Sequence, residues 1–400
     1  MKAGWRTCGL GNLSEVITKG TTPTSVGYEF AEAGINFIKV ESVTSDNRLN
    51  PARFAKIDSD CHGALRRSQI RENDILFSIA GALGRCAIAA KEVLPANTNQ
   101  ALAIIRLANL NESMPEYVLY AMQSAVVVDQ IERDRAGSAQ QNLSLKQVSD
   151  FQIPLPPLDE QRRIVAVLDE AFAGIATATA NAQKNLTNAR ALFESYVEAI
   201  FAGREEGWTE YSFDQICSIS SKLVDPRLPA YLDLPHIGAG NMASRTGGIV
   251  DVLTAREEGL KSGKFLFDAS MVLYSKIRPY LMKACRPEFL GLCSADVYPL
   301  VPKAGLLDRD MLFHILMSDE FTAYAEAGSA RAGMPKVNRE HLFKYSVWLP
   351  DVATQRIICR KLDDLSSKCQ DLANVAQSKL AALAELKQSL LQKAFAGELT

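Results

Sequence analysis

Two stretches of this chain carry apolar residues in alternating steps of mostly three and four. In the first they fall at Ile164, Leu168, Ala171, Ile175, Ala182, Leu186, Ala189, Phe193, Tyr196 and Ile200. In the second they fall at Ile358, Leu362, Leu365, Cys369, Leu372, Ala376, Leu380, Leu383, Leu386, Leu390 and Ala394. A seam of period 3.5 predicts helices that pair as a coiled coil. Pro157 and Pro350 stand where each helix can start, and Gly203 and Gly397 where each can stop. Elsewhere the period shortens. "INFIKV" from Ile35, "DILFSI" from Asp74, "ALAIIRL" from Ala101 and "FQIPL" from Phe151 read as strands, as do "LPHIGAG", "MVLYSKI" and "DVYPLV" in the second half. "PEYVLYAMQSAVVVDQIERD" and "RDMLFHILMSDEFTAYAEA" read as helices.

The two helical stretches are copies of one phrase. "LPPLDEQRRIVAVLD" from Leu155 returns as "LPDVATQRIICRKLD" from Leu349, and the offset of 194 holds without a gap to the "FAG" at Phe201 and Phe395. Between Gln161 and Gly203, 13 of 43 positions are identical, too many with matched ends for two unrelated helices. Fainter echoes run backward. "DILFSIAGALGRCAI" matches "MVLYSKIRPYLMKAC", and "AGSAQQNLS" matches "AGSARAGMPKVN". The predicted plan is therefore α+β: two globular domains separated by a long antiparallel two-helix coiled coil, a pseudo-two-fold internal repeat. The boundaries read as a first domain over 1–153, a central helix over 154–204, a second domain over 205–347 and a C-terminal helix over 348–400.

Charge and chemistry narrow the function. The net charge of −2 gives no global pull toward nucleic acid, so any such binding rests on local patches. No run approaches the eighteen or so apolar residues of a membrane span, and the N-terminus lacks the apolar core of a signal peptide. The eight cysteines are scattered, with no C-x-x-C pair, which points to a reducing cytoplasm. "GAGNMA" from Gly238 is followed by a turn and strand rather than the helix a nucleotide fingerprint needs. "NPAR" from Asn50 lacks the aromatic that would stack on a flipped base. There is no P-loop and no histidine pair at metal spacing, so catalytic, metal and cofactor sites are not expected.

What remains is basicity in loops: "LRRSQIR" from Leu65, then Arg85, Lys276, Arg278, Arg331 and Lys336. The loop "GSAQQN" supplies Ser138, Gln140, Gln141 and Asn142. Amides and guanidinium groups make bidentate bonds to base edges, and lysines reach phosphates. These nine residues from Arg85 to Lys336 are the candidate DNA contacts.

On these motifs the chain resembles the specificity subunits of type I restriction-modification systems. "ITKGTTP" from Ile17, "DILFSIAGALGR", "IPLPPLDEQRRIV", "LYSKIRPYL" and "CSADVYPLVP" carry the likeness, which covers nearly the whole chain. The resemblance implies two target-recognition domains, each reading half of a split site in double-stranded DNA. It implies helices that act as a ruler and dock two methyltransferase subunits, with Glu160, Gln161, Arg162, Gln355 and Arg356 at the docking end; Thr354 replaces the second glutamate. Methylation with S-adenosylmethionine, and cleavage by restriction/translocase subunits, are then work for partner chains. The rival readings are the specificity chain of a related fused restriction or phage-defence system, a DNA-modifying enzyme, and a scaffold that does not touch DNA.

Overall fold

The structure is a computed structural model that describes residues 4–136, 142–202, 207–329 and 335–399. The chain divides into two compact units, Met1–Ala182 with Ser378–Thr400, and Gln183–Gln377. Two helices of 45 residues each, Leu158–Ala202 and Val352–Ala396, contribute to both units. They begin one residue after Pro157 and two after Pro350, as a ring that fixes φ and lacks an N–H favours.

In the first unit a four-stranded antiparallel sheet is ordered Ser14–Lys19, Leu102–Leu107, Ile75–Ser78, Cys86–Ile88. A mixed sheet is ordered Ala55–Ile57, Ile35–Ile38, Ala96–Thr98, Gln69–Ile70, with its middle pair parallel. A ribbon of Arg6–Gly9 with Gln152–Leu155 leads into the central helix. The strand "LAIIRL" has almost no polar residue because both of its faces are covered. Ala103, Ile105 and Leu107 join one core, and Leu102 and Ile104 join another, as period-2 alternation requires.

The second unit repeats this plan. Its antiparallel sheet runs Cys217–Ile219, Val297–Pro302, Val272–Ser275, Ala284–Cys285. Its mixed sheet has the same parallel middle pair, Pro235–Ile237 with Gly291–Cys293, and gains one short edge strand, Leu223–Val224. Its ribbon is Thr209–Ser212 with Ser346–Leu349. The internal repeat is thus far clearer in topology than in the globular sequences.

The two predicted shorter helices each break once. The first divides into Pro115–Gln123 and Ala125–Ala136 around Ser124, the second into Arg309–Leu316 and Asp319–Ala327 just before and at Ser318. Ser124 and Ser318 stand 194 apart. Ser318 Oγ accepts the Phe321 N–H, a serine cap that ends one helix and opens the next.

Within each unit the long helices run antiparallel. In the first, Ile164 and Leu168 share a core with Leu391, Ala394 and Phe395, and Arg163 donates to the Leu399 carbonyl at 2.7 Å. In the second, Leu186 packs on Ala373 and Ala376, while Phe201 borders the core that holds Cys359. Rising numbers on one helix meet falling numbers on the other.

The seam corrects the sequence reading at three places. Tyr196 is 37% exposed and Val197 is 6% exposed in its stead; Leu372 is 56% exposed and Ala373 8%. Leu386 is also exposed. A 3.5-residue period leaves the phase open by one residue, and the larger side chain attracts the assignment. Packing decides otherwise, because Leu186 fills the space left by two alanines. By length and composition alone the Leu158–Phe201 helix is apolar enough to cross a membrane; part of its apolar stripe forms this seam.

Candidate nucleic-acid interface

The phrase that opens each long helix builds a joint. Gln161 is fully buried; its Oε1 accepts the Met114 N–H at 3.0 Å, and its Nε2 donates to the carbonyls of Glu112 and Pro156 at 2.8 and 2.9 Å. Gln355 makes the same three bonds, from the Asp308 N–H at 2.8 Å and to the carbonyls of Leu306 and Pro350 at 2.9 and 2.8 Å. All three partners are displaced by 194 residues. Met114 and Asp308 cap the helices Pro115–Gln123 and Arg309–Leu316, so each glutamine ties a long helix to its domain. Both amides are spent on backbone groups of their own unit and have no exposed surface, so within this chain they brace the start of each helix. Arg162 stays exposed, bonded to Asp159, and Arg356 bonds Asp308 at 3.0 Å. Glu160 pairs with Arg163, whereas Thr354 in its place bonds Asp351.

A second joint lies about two turns further along each long helix. Tyr120 donates to Asp169 in the first unit. At the same offset His314 Nε2 lies 3.1 Å from Asp363, which also takes both terminal nitrogens of Arg286. Burial alone would raise the Asp363 pKa. The His314 bond and the Arg286 bonds and charge outweigh it and hold the carboxyl well below the usual carboxylate range. Asp169 and Asp363 recur in sequence, but their partners do not, so only extension of the offset backward would have found them.

Each unit also brings a turn and a loop end together. In the first, Ile75–Ser78 turns back to Cys86–Ile88 through Gly81 and Gly84, both at positive φ, and Leu143 donates to the Ile79 carbonyl. In the second, Val272–Ser275 turns back to Ala284–Cys285, and Val337 donates to the Lys276 carbonyl at 2.8 Å. Here Arg278 and Met282 take the left-handed conformation, with φ of 50° and 48°. A left-handed non-glycine costs about 1–2 kcal/mol, and such strain gathers at functional positions.

This geometry places the candidate contacts unequally. Arg278 is exposed at the tip of the strained turn, and Asn142 is exposed beside the equivalent turn. Lys336 is exposed, 3.4 Å from Asp296. Lys276 is mostly covered; it donates to the Ala295 carbonyl at 2.6 Å, and Asp296 lies 3.8 Å from it. Arg85 is half-buried and turns inward to the Val43 carbonyl at 3.3 Å. Ser138, Gln140, Gln141 and Arg331 lie outside the described residues. Asn50 of "NPAR" caps the turn Pro51–Arg53, a structural role. Burial pushes the thiols of Cys86, Cys217, Cys285, Cys293 and Cys359 up to about 12, which leaves them poor nucleophiles.

Known proteins share this arrangement. The chain is 36% identical over 196 residues to the type I restriction enzyme EcoDI specificity subunit of Escherichia coli, covering 48% of this chain and 42% of that one. It is 28% identical over 170 residues to the EcoBI specificity subunit of the same organism, covering 42% and 34%. The matches thus span less than half the length of these relatives. Among solved structures, a chain from work on complex assembly and conformational transition of the type I R-M system superposes with a TM-score of 0.77 at 18% identity, over 100% of this chain and 99% of that one. The HsdS subunit of Thermoanaerobacter tengcongensis superposes with a TM-score of 0.59 at 18% identity, over 100% and 98%. The sequence model for the type I restriction modification DNA specificity domain matches twice, over 2–188 and 205–381, one match for each half of the repeat, and the chain belongs to that family.

Proposed function

We propose that this chain is the sequence-reading subunit of a type I restriction-modification complex, each unit reading one part of a bipartite site in double-stranded DNA. The observation that carries this reading is the paired turn. The same hairpin and loop end recur in both units, with Gly81 and Gly84 in one and Arg278 and Met282 in the other. One scaffold with two chemistries at its tip is what two different half-sites require. Arg278 and Lys336 then face the second half-site, and Asn142 faces the first. The two helices set the gap between half-sites.

Two methyltransferase subunits dock along the helices. Exposed apolar side chains at Leu192, Tyr196, Leu372, Val375 and Leu386 offer the contact area, with Arg162 and Arg356 at the helix starts. Methyl transfer, with its S-adenosylmethionine, and cleavage belong to the partner chains; this chain is non-catalytic and works in the cytoplasm. The test is methylome sequencing of a host expressing the chain with its cognate methyltransferase. A split motif with a gap of fixed length is expected. An uninterrupted motif, or a methylome unchanged by the chain, would count against the reading.

A further inference from the structure

The first unit holds a groove of about 810 Å3, with Ile70 and Leu94 among its aliphatic walls and Arg66, Arg67, Arg71 and Lys91 around them. All four cations are exposed, and among the described residues none of their side chains has a hydrogen-bond or ion-pair partner. Glu72 is the one acid among the lining residues described. The groove is also braced. Arg106, another lining residue, bonds the fully buried Asp74 through two nitrogens at 2.8 and 2.6 Å, and the Arg71 N–H donates to the same carboxylate at 2.7 Å. Asp74 therefore fixes the backbone that presents Arg71 while its own charge is neutralised by Arg106.

The equivalent segment of the second unit, between Leu253–Thr254 and Lys264–Phe267, has its charges tied up. Arg256 pairs with Asp233 at 2.7 Å, Lys264 is buried on Ser262, and Glu257 caps back onto Thr254. Lys261 is the exposed cation left there among the described residues.

We infer that the groove of the first unit seats the sugar-phosphate backbone of duplex DNA, deoxyribose carbons against the aliphatic walls and phosphates on the arginines. Charge complementarity favours this occupant: four unpaired cations face one acid in a chain whose net charge is −2. The inference rests on the DNA-reading function proposed above and adds an asymmetry to it. The first half-site carries more of the electrostatic hold, and the second depends more on its strained turn.

The experiment measures duplex binding by the full chain, co-purified with its methyltransferase, across a fourfold range of salt. The variant R66Q/R67Q/R71Q changes only exposed side chains. With about 0.9 counterion released per phosphate contact, its slope of log affinity against log salt should fall by about 2.7, shrinking the salt-induced loss by about 40-fold. Specific and random duplexes should change alike, and R256Q should match the wild type. Steep salt dependence in the wild type with an unchanged slope in the triple variant overturns the groove and leaves DNA reading standing. Absence of salt-dependent duplex binding by the wild type overturns both. ATP serves as the small-phosphate probe: saturable ATP binding lost in the triple variant, with the DNA slope intact, would assign the groove to a free phosphate ligand and overturn the inference.

Discussion

The Gln161 side chain accepts the Met114 N–H at 3.0 Å from a position with no exposed surface, and so joins the first turn of a 45-residue helix to the start of another. Nothing else in the described unit offers that N–H an acceptor. Gln161→Ala removes the partner of the buried Pro156 carbonyl and of the part-buried Met114 N–H and Glu112 carbonyl, and a buried group left unsatisfied costs about 1–3 kcal/mol. Chemical denaturation should show a loss of at least about 2 kcal/mol, and Gln355→Ala should match it. Gln161→Glu should cost as much or more, because a carboxylate oxygen would then face the Glu112 and Pro156 carbonyls. A loss below 0.5 kcal/mol, the scale of an ordinary surface change, would show that the joint is dispensable.

The corrected seam makes a paired prediction. Ala373 lies under Leu186, whereas Leu372 next to it is 56% exposed. Ala373→Glu forces a charge into that contact and should destabilise by about 2–4 kcal/mol; Leu372→Glu should fall within about 0.5 kcal/mol of the wild type. Val197→Glu and Tyr196→Glu should divide in the same way. Thermal unfolding of the four variants checks the phase, and the reverse order would restore the seam read from sequence.

Acid should reveal the Asp363 joint. Its carboxyl is held well below the ordinary range by His314 and Arg286, and Asp310 on the far side shares the Arg286 guanidinium at 3.0 Å. A depressed carboxylate contributes stability that is fully present above its unfolded pKa of about 3.9 and is lost as pH falls toward the folded pKa. Asp363→Asn should therefore be less stable than the wild type at pH 5. The gap should narrow below about pH 4 in urea titrations. A gap that stays constant down to pH 3 would mean that packing, not charge, is lost.

The legible parts of this fold were those written twice. Helix starts were readable to within two residues because proline and the repeated glutamine mark them, and the strands because their apolar runs are bounded by turns. The pairing of those strands was not readable: Ile35–Ile38 lies parallel to Ala96–Thr98 across some sixty residues, and no local pattern encodes that. The buried role of Gln161 was hidden for a similar reason, since its partners are backbone groups that carry no side-chain signature. The groove of the first unit was half legible. "LRRSQIR" announced three arginines, but Lys91 reaches the groove from the turn Lys91–Val93, and the brace joins Asp74, just before the strand Ile75–Ser78, to Arg106 on the strand Leu102–Leu107.

The strained turn of the second unit separates stability from recognition. Arg278 holds φ of 50°, where its counterpart Gly81 holds 74° without a Cβ to clash. Arg278→Gly should relieve that clash and stabilise the chain by up to about 1 kcal/mol, while Arg278→Ala keeps the strain and loses only the guanidinium. If Arg278 reads a base, both variants should relax one position of the second half-site, costing about 1–3 kcal/mol of discrimination there and nothing in the first. If it holds a phosphate, both should weaken all sequences alike and lower the salt slope by about one. Lys336→Ala supplies the comparison, because Asp296 beside it partly neutralises its charge and its loss should be felt uniformly if at all. Methylome sequencing with each variant distinguishes these outcomes. A glycine variant that is more stable and still reads both half-sites unchanged would leave the left-handed arginine without a function, and the strain would then belong to the fold alone.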